Sequence, residues 1–277
     1  MALDWKPVSA LVFGVAGNWW FGQCLAMTIR LEICDTAATL LIDRADRRNA
    51  ITMEMWLAIP RLLDQAAGIG GLRVLTVRGV DGAPFSAGAD IHEMIANKDD
   101  ADWIAANHAA ISQAQHRLER FDLPTIAFVD GDCIGGGCAV ALACDIRVAT
   151  QRARFGITPA KLGLAYPFHD IKLLVDLVGP GQAKRLLYTG DLIDASEAHN
   201  IGLVEIVAGS SEVLEQSIAA TSGNSHKAMK RMVRHLLDGQ ADESGDTRAI
   251  FAAAFEGDDF REGTMAFAEK RLPQFKS

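Results

Sequence analysis

Several familiar signatures are missing from this 277-residue chain. No GxGxxG follows a first strand and no GK[ST] closes a glycine loop, so neither a dinucleotide fingerprint nor a P-loop is written here. The cysteines Cys24, Cys34, Cys133, Cys138 and Cys144 are odd in number, form no CxxC and meet no histidine cluster at zinc spacing, which argues against a structural zinc site. They read as reduced thiols of a cytoplasmic protein. Cys138 and Cys144, in apolar surroundings, read as small buried hydrophobes rather than nucleophiles. Basic runs are also lacking: Lys and Arg are scattered and the formal net charge is −8, so no nucleic-acid partner is expected.

The apolar run "SALVFGVAGNWWFGQCLAM" lacks what a secretory leader or membrane span requires. Asp4 offsets Lys6 ahead of it, Gly, Asn and Gln interrupt it, and no A-x-A cleavage site follows. Residues 1–26 therefore read as a dispensable extension, as from an upstream start codon, and no membrane partner is expected.

The remaining chain, in a protein of 49% hydrophobic residues, has material for one large core. "MTIRLEI" and "ATLLID" read as strands joined by a turn at Cys34 to Ala37, and "TMEMWLAIPRLLDQAA" as a helix capped by Thr52. "RVLTVRG" predicts a buried strand, "VDGAPFSAGADIHEM" a loop, "DWIAANHAAISQAQHRLERF" a helix and "TIAFVD" a strand ahead of a glycine cluster. A third unit ends in "CDIRVAT" and "ARFGI". From about Pro167 the pattern is helical, with one strand candidate at "LVEIV". This rhythm implies an α/β core over 27–210 and a helical region over 211–277.

Two glycine-bearing loops carry the chemistry. In "GDCIGGGCAVALACD" the triplet Gly135, Gly136, Gly137 follows a strand and opens an apolar helix, a place where backbone N–H groups point at an anion. Three glycines equally permit close packing or a tight turn. "FSAGAD" is a second small-residue loop after a strand, and its free N–H groups can complete a two-donor oxyanion hole.

The segments "RADRRNAIT", "PFSAGADIHEM", "GDCIGGGCAVALACDIRVAT", "RFGITPAKLGL", "LLYTGDLIDASEAHNIGLVEIV" and "EGTMAFAEKRLPQF" together resemble, in order, the enoyl-CoA hydratase/isomerase (crotonase) superfamily. The resemblance runs from about residue 28 to 275. It implies an α/β spiral of ββα units, a C-terminal helical trimerisation region, a coenzyme A thioester as substrate and a homotrimer or hexamer. It assigns the thioester oxygen to the N–H groups of Ala89 and Gly136, and places Arg47, Arg48, Ala87 and Lys270 at the CoA; each of these charges is equally open to reading as a solvated surface group. Coenzyme A belongs to the substrate, and neither a metal nor a redox cofactor is expected.

Hydratases of the family position water with two glutamates. The aligned positions here are Ala139 and, with no gap, Pro159. Other carboxylates nearby are Asp145, which reads as a strand-end cap, and Asp170, where the family's isomerases sometimes place an acid. The loop more closely resembles methylmalonyl-CoA decarboxylase-type members through Thr158, Pro159 and Tyr166, with a "DIHE" element at Asp90 to Glu93. Those members differ in carrying a histidine aligned with Ala89 and an acid aligned with Ala139.

Decarboxylation needs no base, because loss of CO2 itself forms the enolate. A pocket lined by Ala139 and Pro159 would desolvate the departing carboxylate, whereas glutamates would repel it. Tyr166 reads either as a neutral donor to that group or as a buried aromatic with a backbone partner; His169 reads as an acid or as an exposed loop histidine. The sequence-based expectation is decarboxylation of a short malonyl-type CoA thioester. The alternatives are a hydratase or isomerase using another acid, such as Asp170, and a catalytically silent CoA-binding scaffold.

Overall fold

A computed structural model describes residues 28–276; the expected extension 1–26, with Cys24, lies outside the described residues. Strands β1 (Ile29–Cys34) and β2 (Ala37–Ile42) form a hairpin that pairs Ile29 with Ile42 and Cys34 with Ala37. Its turn places Asp35 at φ 51°, a left-handed conformation that Asp tolerates better than most residues. Helix α1 (Met53–Ala67) starts where Thr52 accepts from the Met55 N–H at 3.3 Å, and its apolar spacing buries Met55, Trp56, Ile59, Leu62, Leu63 and Ala66. That face returns the chain to β3 (Val74–Gly79), which runs parallel to β2.

The unit then repeats with variations. Helices α2 (Ile91–Ala96) and α3 (Ala101–Glu119) are capped by Asp90 and Asp100, and β4 (Thr125–Val129), buried throughout, lies parallel to β3. Strand β5 (Asp132–Ile134) leads into α4 (Gly136–Ala143), and β6 (Ile146–Ala149) joins β4. Strand β7 (Arg154–Gly156) pairs with β5, and α5 (Phe168–Thr189) follows. Strand β8 (Leu192–Asp194), helix α6 (Ala195–Asn200) and β9 (Ile206–Val207) complete two sheets, ordered β1-β2-β3-β4-β6-β9 and β5-β7-β8. Helices α7 (Glu212–Ala219), α8 (Gly223–Leu237), α9 (Gly245–Glu256) and α10 (Asp258–Glu269) follow the last strand. Among the described residues no helix is long and apolar enough to cross a membrane.

Four elements depart from the sequence reading. The stretch after "PFSAGAD" contains α2, and β5 and β8, each of three residues, are too short to show a period. The long segment α5 is two helical stretches meeting at Gly179, whose φ of 71° no helix contains. Pro180 starts the second stretch, where its missing N–H costs nothing.

The contact that fixes the core's geometry lies between α4 and the loop after β3. A Cβ on Gly137 would stand 2.6 Å from Ser86 Cβ and 2.7 Å from the Ser86 carbonyl oxygen, so only glycine lets the backbones meet. Gly137→Ala is expected to destabilise the fold by about 1–3 kcal/mol through forced backbone displacement, read as a lowered midpoint in urea unfolding. An unchanged midpoint would mean that the loop yields freely.

Candidate active site

The loop Ser86–Asp90 is threaded between two neighbours. On one side the Ile51 N–H donates to the Gly88 carbonyl at 2.8 Å and the Asp90 N–H donates to the Ile51 carbonyl at 3.0 Å. On the other, the Ser86 N–H donates to the Asp132 carbonyl at 3.1 Å and the Ile134 N–H to the Ser86 carbonyl at 2.9 Å. The strand-like bridge between Ile51 and Ala89 uses the groups of residues 88 and 90, so the Ala89 N–H points away from it. Buried Asn49 secures the loop, its amide nitrogen donating to the Pro84 carbonyl at 2.7 Å, and the Ser86 hydroxyl donates to the Asn49 carbonyl at 2.8 Å.

Gly136 is the first residue of α4, and an N–H in a helix's first turn has no intrahelical acceptor. Among the described residues neither the Ala89 nor the Gly136 N–H donates to a protein acceptor. The two groups are close: a Cβ on Gly136 would lie 3.3 Å from the Ala89 nitrogen, and one on Gly88 would lie 3.1 Å from the Gly136 nitrogen. Gly88 at φ 95° and Gly135 at φ 51° supply backbone turns that L side chains rarely adopt. Together they form a two-donor cradle at the positive end of a buried helix, suited to an oxygen that gains negative charge.

Around the cradle the side chains are neutral. Ala139 is buried one turn along α4, Pro159 opens a 3-10 turn over Pro159–Leu162, and Thr158 Oγ1 lies 3.7 Å from where a Cβ on Gly135 would be. Tyr166 is buried and its hydroxyl donates to the Gly135 carbonyl at 3.0 Å, so the backbone-partner reading describes it. Burial pushes its phenol well above the ordinary value, aided by Cys138 and Asp170 nearby. Buried Trp56 closes the other side, its Cζ2 being 3.3 Å from the same imagined Cβ on Gly136, and its Nε1–H has no partner.

His169 is not an exposed loop histidine, which corrects one of its sequence readings. It stands in the first turn of α5 with Nδ1 3.2 Å from Asp170 and Nε2 3.0 Å from Glu119, both carboxylates being almost fully buried. Arg234 of α8 bonds Glu119 from the opposite side, and the His116 ring stacks on His169 at 4.0 Å. The hydrogen bonds to Asp170 and then Glu119 raise the imidazole pKa to about 9. Burial pushes Glu119 up, yet the His169 hydrogen bond and the Arg234 charge outweigh it and hold the carboxyl below its ordinary range.

The other sequence candidates are dispersed. Asp145 accepts from the Thr125 N–H at 2.7 Å and from Lys230 at 2.6 Å, the strand-end role expected of it. Arg48 bonds Asp132 at 2.8 Å, a carboxylate shared with Arg154, and the Ala87 N–H donates to the Arg48 carbonyl at 3.0 Å. Arg47 is exposed beside Asp46. Lys270 is exposed at the end of α10 with φ 54°. Cys133 and Cys144 are buried thiols; desolvation raises the first well above its ordinary value and the second to about 12.

Sequence reasoning missed Trp56, Glu119, Arg234 and Arg44, whose guanidinium meets buried Asp90 at 2.5 Å. Trp56 has the spacing of any core residue on α1, and Glu119 looks like one more charge near a helix end. The available signal was periodicity, since Glu119 continues the buried face of Ala114, Gln115 and Leu118.

A sequence model of the enoyl-CoA hydratase/isomerase family matches residues 32–277. The chain is 35% identical over 259 residues to a crotonyl-CoA hydratase of Syntrophomonas wolfei, covering 90% of this chain and 98% of that one. It is 33% identical over 248 residues to 2,3-dehydroadipyl-CoA hydratase of Escherichia coli, covering 86% and 94%. The crystal structure of an enoyl-CoA hydratase/isomerase family protein from Hyphomonas neptunium superposes with a TM-score of 0.87 at 38% identity, over 91% of this chain and 99% of that one. The chain belongs to the enoyl-CoA hydratase/isomerase family and has the crotonase fold; it is an enzyme of acyl-CoA chemistry.

Two outcomes follow from this geometry. Gly136→Val is expected to lower kcat/KM on any acyl-CoA substrate by at least about a hundredfold, because the side chain occupies the cradle; full activity would show that the oxygen binds elsewhere. His169 is raised from 6.5 to about 9, so its contribution to stability is complete below the lower value and is lost as pH rises through the upper one. Depressed Glu119 acts with the opposite sign, losing its contribution as pH falls through the acid range. Urea stability should therefore decline between pH 6.5 and about 9, and His169→Gln should be less stable and flatter across that window. A decline of the same size in the variant would place its cause in another group.

Proposed function

We propose that the chain catalyses addition of water to an enoyl-CoA thioester, or migration of its double bond, through an enolate held by the Ala89 and Gly136 N–H groups. The observation that carries this reading is the pair of facing, unpartnered N–H groups, each worth about 3–4 kcal/mol when aimed at a developing oxyanion. The hydratase names of relatives at 33–35% identity support the reaction class. With Ala139 and Pro159 where the family's hydratases carry glutamates, the proton carriers assigned are Asp170 and His169, bonded to each other in the first turn of α5, with Asp170 near Tyr166. Arg47, Arg48, Ala87 and Lys270 are assigned to the CoA moiety, and no metal or redox group is given a part.

A second reading, decarboxylation of a short malonyl-type thioester, is favoured by one observation: the residues at positions 139 and 159 carry no carboxylate to repel an acyl carboxylate. Assembly as a homotrimer, or a pair of them, is supported by the apolar face left open on the last helices. A groove of about 780 Å³ is lined by Phe251, Phe255, Phe260 and Phe267, and Met229 and Val233 of α8 are exposed. Cytoplasmic residence suits the free thiols Cys34, Cys133, Cys138 and Cys144.

A panel of acyl-CoA thioesters followed by mass spectrometry separates the readings. Gain of water by crotonyl-CoA, with Asp170→Asn at least about a hundredfold slower, is the expected result. Ala139→Glu is expected to raise hydration further by restoring one carboxylate. Loss of CO2 from malonyl- or methylmalonyl-CoA without hydration of crotonyl-CoA would replace the first reading with the second. Tight binding with no mass change and no shift of the double bond, read by ultraviolet absorbance of the conjugated enoyl thioester, would overturn both in favour of a silent CoA-binding scaffold.

A further inference from the structure

Buried tryptophan N–H groups normally find a hydrogen-bond partner, because leaving one unmade costs about 1–3 kcal/mol. Trp56 is 1% exposed, and its Nε1 has no partner among the described residues. The ring is well determined by its surroundings: α1 buries Met55 and Ile59 beside it, and Thr52 caps the turn it stands in. An unpartnered polar atom in so fixed a ring calls for an acceptor that the protein itself does not supply.

Its position indicates which acceptor. A Cβ imagined on Gly136 would be equidistant, at 3.3 Å, from the Ala89 nitrogen and from Trp56 Cζ2. That point adjoins both donors of the cradle, so an oxygen bound there lies against Cζ2 of the indole. Cζ2 and Nε1 are both bonded to Cε2, and their hydrogens leave the ring along the same edge. This edge is also the positive rim of the indole quadrupole. The side chain nearest the Gly136 end of the cradle thus carries an unused N–H and a positive rim.

We propose that Trp56 is the third donor of the oxyanion hole, its Nε1–H hydrogen-bonding the thioester oxygen when that oxygen becomes negative. A neutral carbonyl is fully served by Ala89 and Gly136, whereas an enolate oxygen has a further lone pair. The third bond is therefore worth more in the transition state than in the ground state, the condition for a contact that accelerates. It also fits a site without flanking carboxylates, in which more of the charge stabilisation falls to neutral dipoles.

The inference rests on the cradle reading above, and its test separates the two. Acetoacetyl-CoA, which ionises to an enolate, is bound to the unmodified protein and the complex is crystallised. The expected result places the thioester oxygen within hydrogen-bond distance of the Ala89 and Gly136 nitrogens and of Trp56 Nε1, below about 3.5 Å. An oxygen on the two backbone donors with Nε1 out of reach would overturn this proposal alone. An oxygen bound elsewhere would overturn the cradle as well. In solution Trp56→Phe keeps an aromatic ring and removes the N–H. It is expected to weaken acetoacetyl-CoA binding by about ten- to a hundredfold, the worth of a hydrogen bond to a charged group. It should also lower the fraction bound as enolate, read by ultraviolet absorbance, while leaving the Kd of free CoA unchanged. Equal loss of affinity for acetoacetyl-CoA and CoA, with an unchanged enolate fraction, would reduce Trp56 to a packing residue.

Discussion

The close passage of the Gly88–Ala89 peptide over the start of α4 is the constraint on which the rest of the molecule turns. It leaves two N–H groups side by side with nothing in the protein to accept them, a disposition that folded chains otherwise avoid. Holding it requires Gly137 against Ser86, the turns at Gly88 and Gly135, and the bonds from Asn49 and Ser86 that fasten the loop. The parallel strands β2, β3, β4 and β6 set the spacing of their connections, and the cradle lies where two of those connections meet. Removing side chains at these glycine positions is what lets the backbone atoms approach so closely.

The charges around this cradle are paired with one another. Arg44 is taken up by Asp90, Arg48 and Arg154 by Asp132, and Lys230 by Asp145. The concentrated cluster, Glu119, His169, Asp170 and Arg234, joins α3, α5 and α8. A protonated imidazole between two buried carboxylates offsets most of their desolvation, and the arginine completes the balance. Two consequences follow from one arrangement. The last helices are tied to the segment that carries Tyr166 and Asp170, and the immediate surroundings of the hole stay neutral, where dipoles act at low effective dielectric and are worth most.

Much of this was legible in the sequence, for reasons that differ from residue to residue. The hairpin and α1 with its Thr52 cap follow local periods, and β3 and β4 are short continuous apolar runs. The family resemblance supplied the pairing of Ala89 with Gly136, two residues far apart in the chain that meet through backbone groups, which composition cannot register. Strands β5 and β8 escaped because three residues carry no period. His169 was read as a loop residue because its partners come from α3, fifty positions away, and long-range ion pairs leave no local mark. Trp56 was invisible as anything but core, since a packed indole and one with an idle N–H are spelled the same way.

A hole of this kind does not choose a reaction. Any step that places negative charge on the thioester oxygen gains from it, whether the charge comes from attack of water at C3, removal of a proton at C2 or departure of CO2. The choice falls to what surrounds the acyl group. Two charges about 4 Å apart at an effective dielectric near 20 interact by about 4 kcal/mol, close to three powers of ten in rate. A glutamate at position 139 would therefore hinder decarboxylation by about as much as it assists hydration. Alanine there leaves both routes open at the level the hole alone supplies, and on the reading proposed above Asp170 or His169 decides between them by whether it reaches the substrate's carbon or its water.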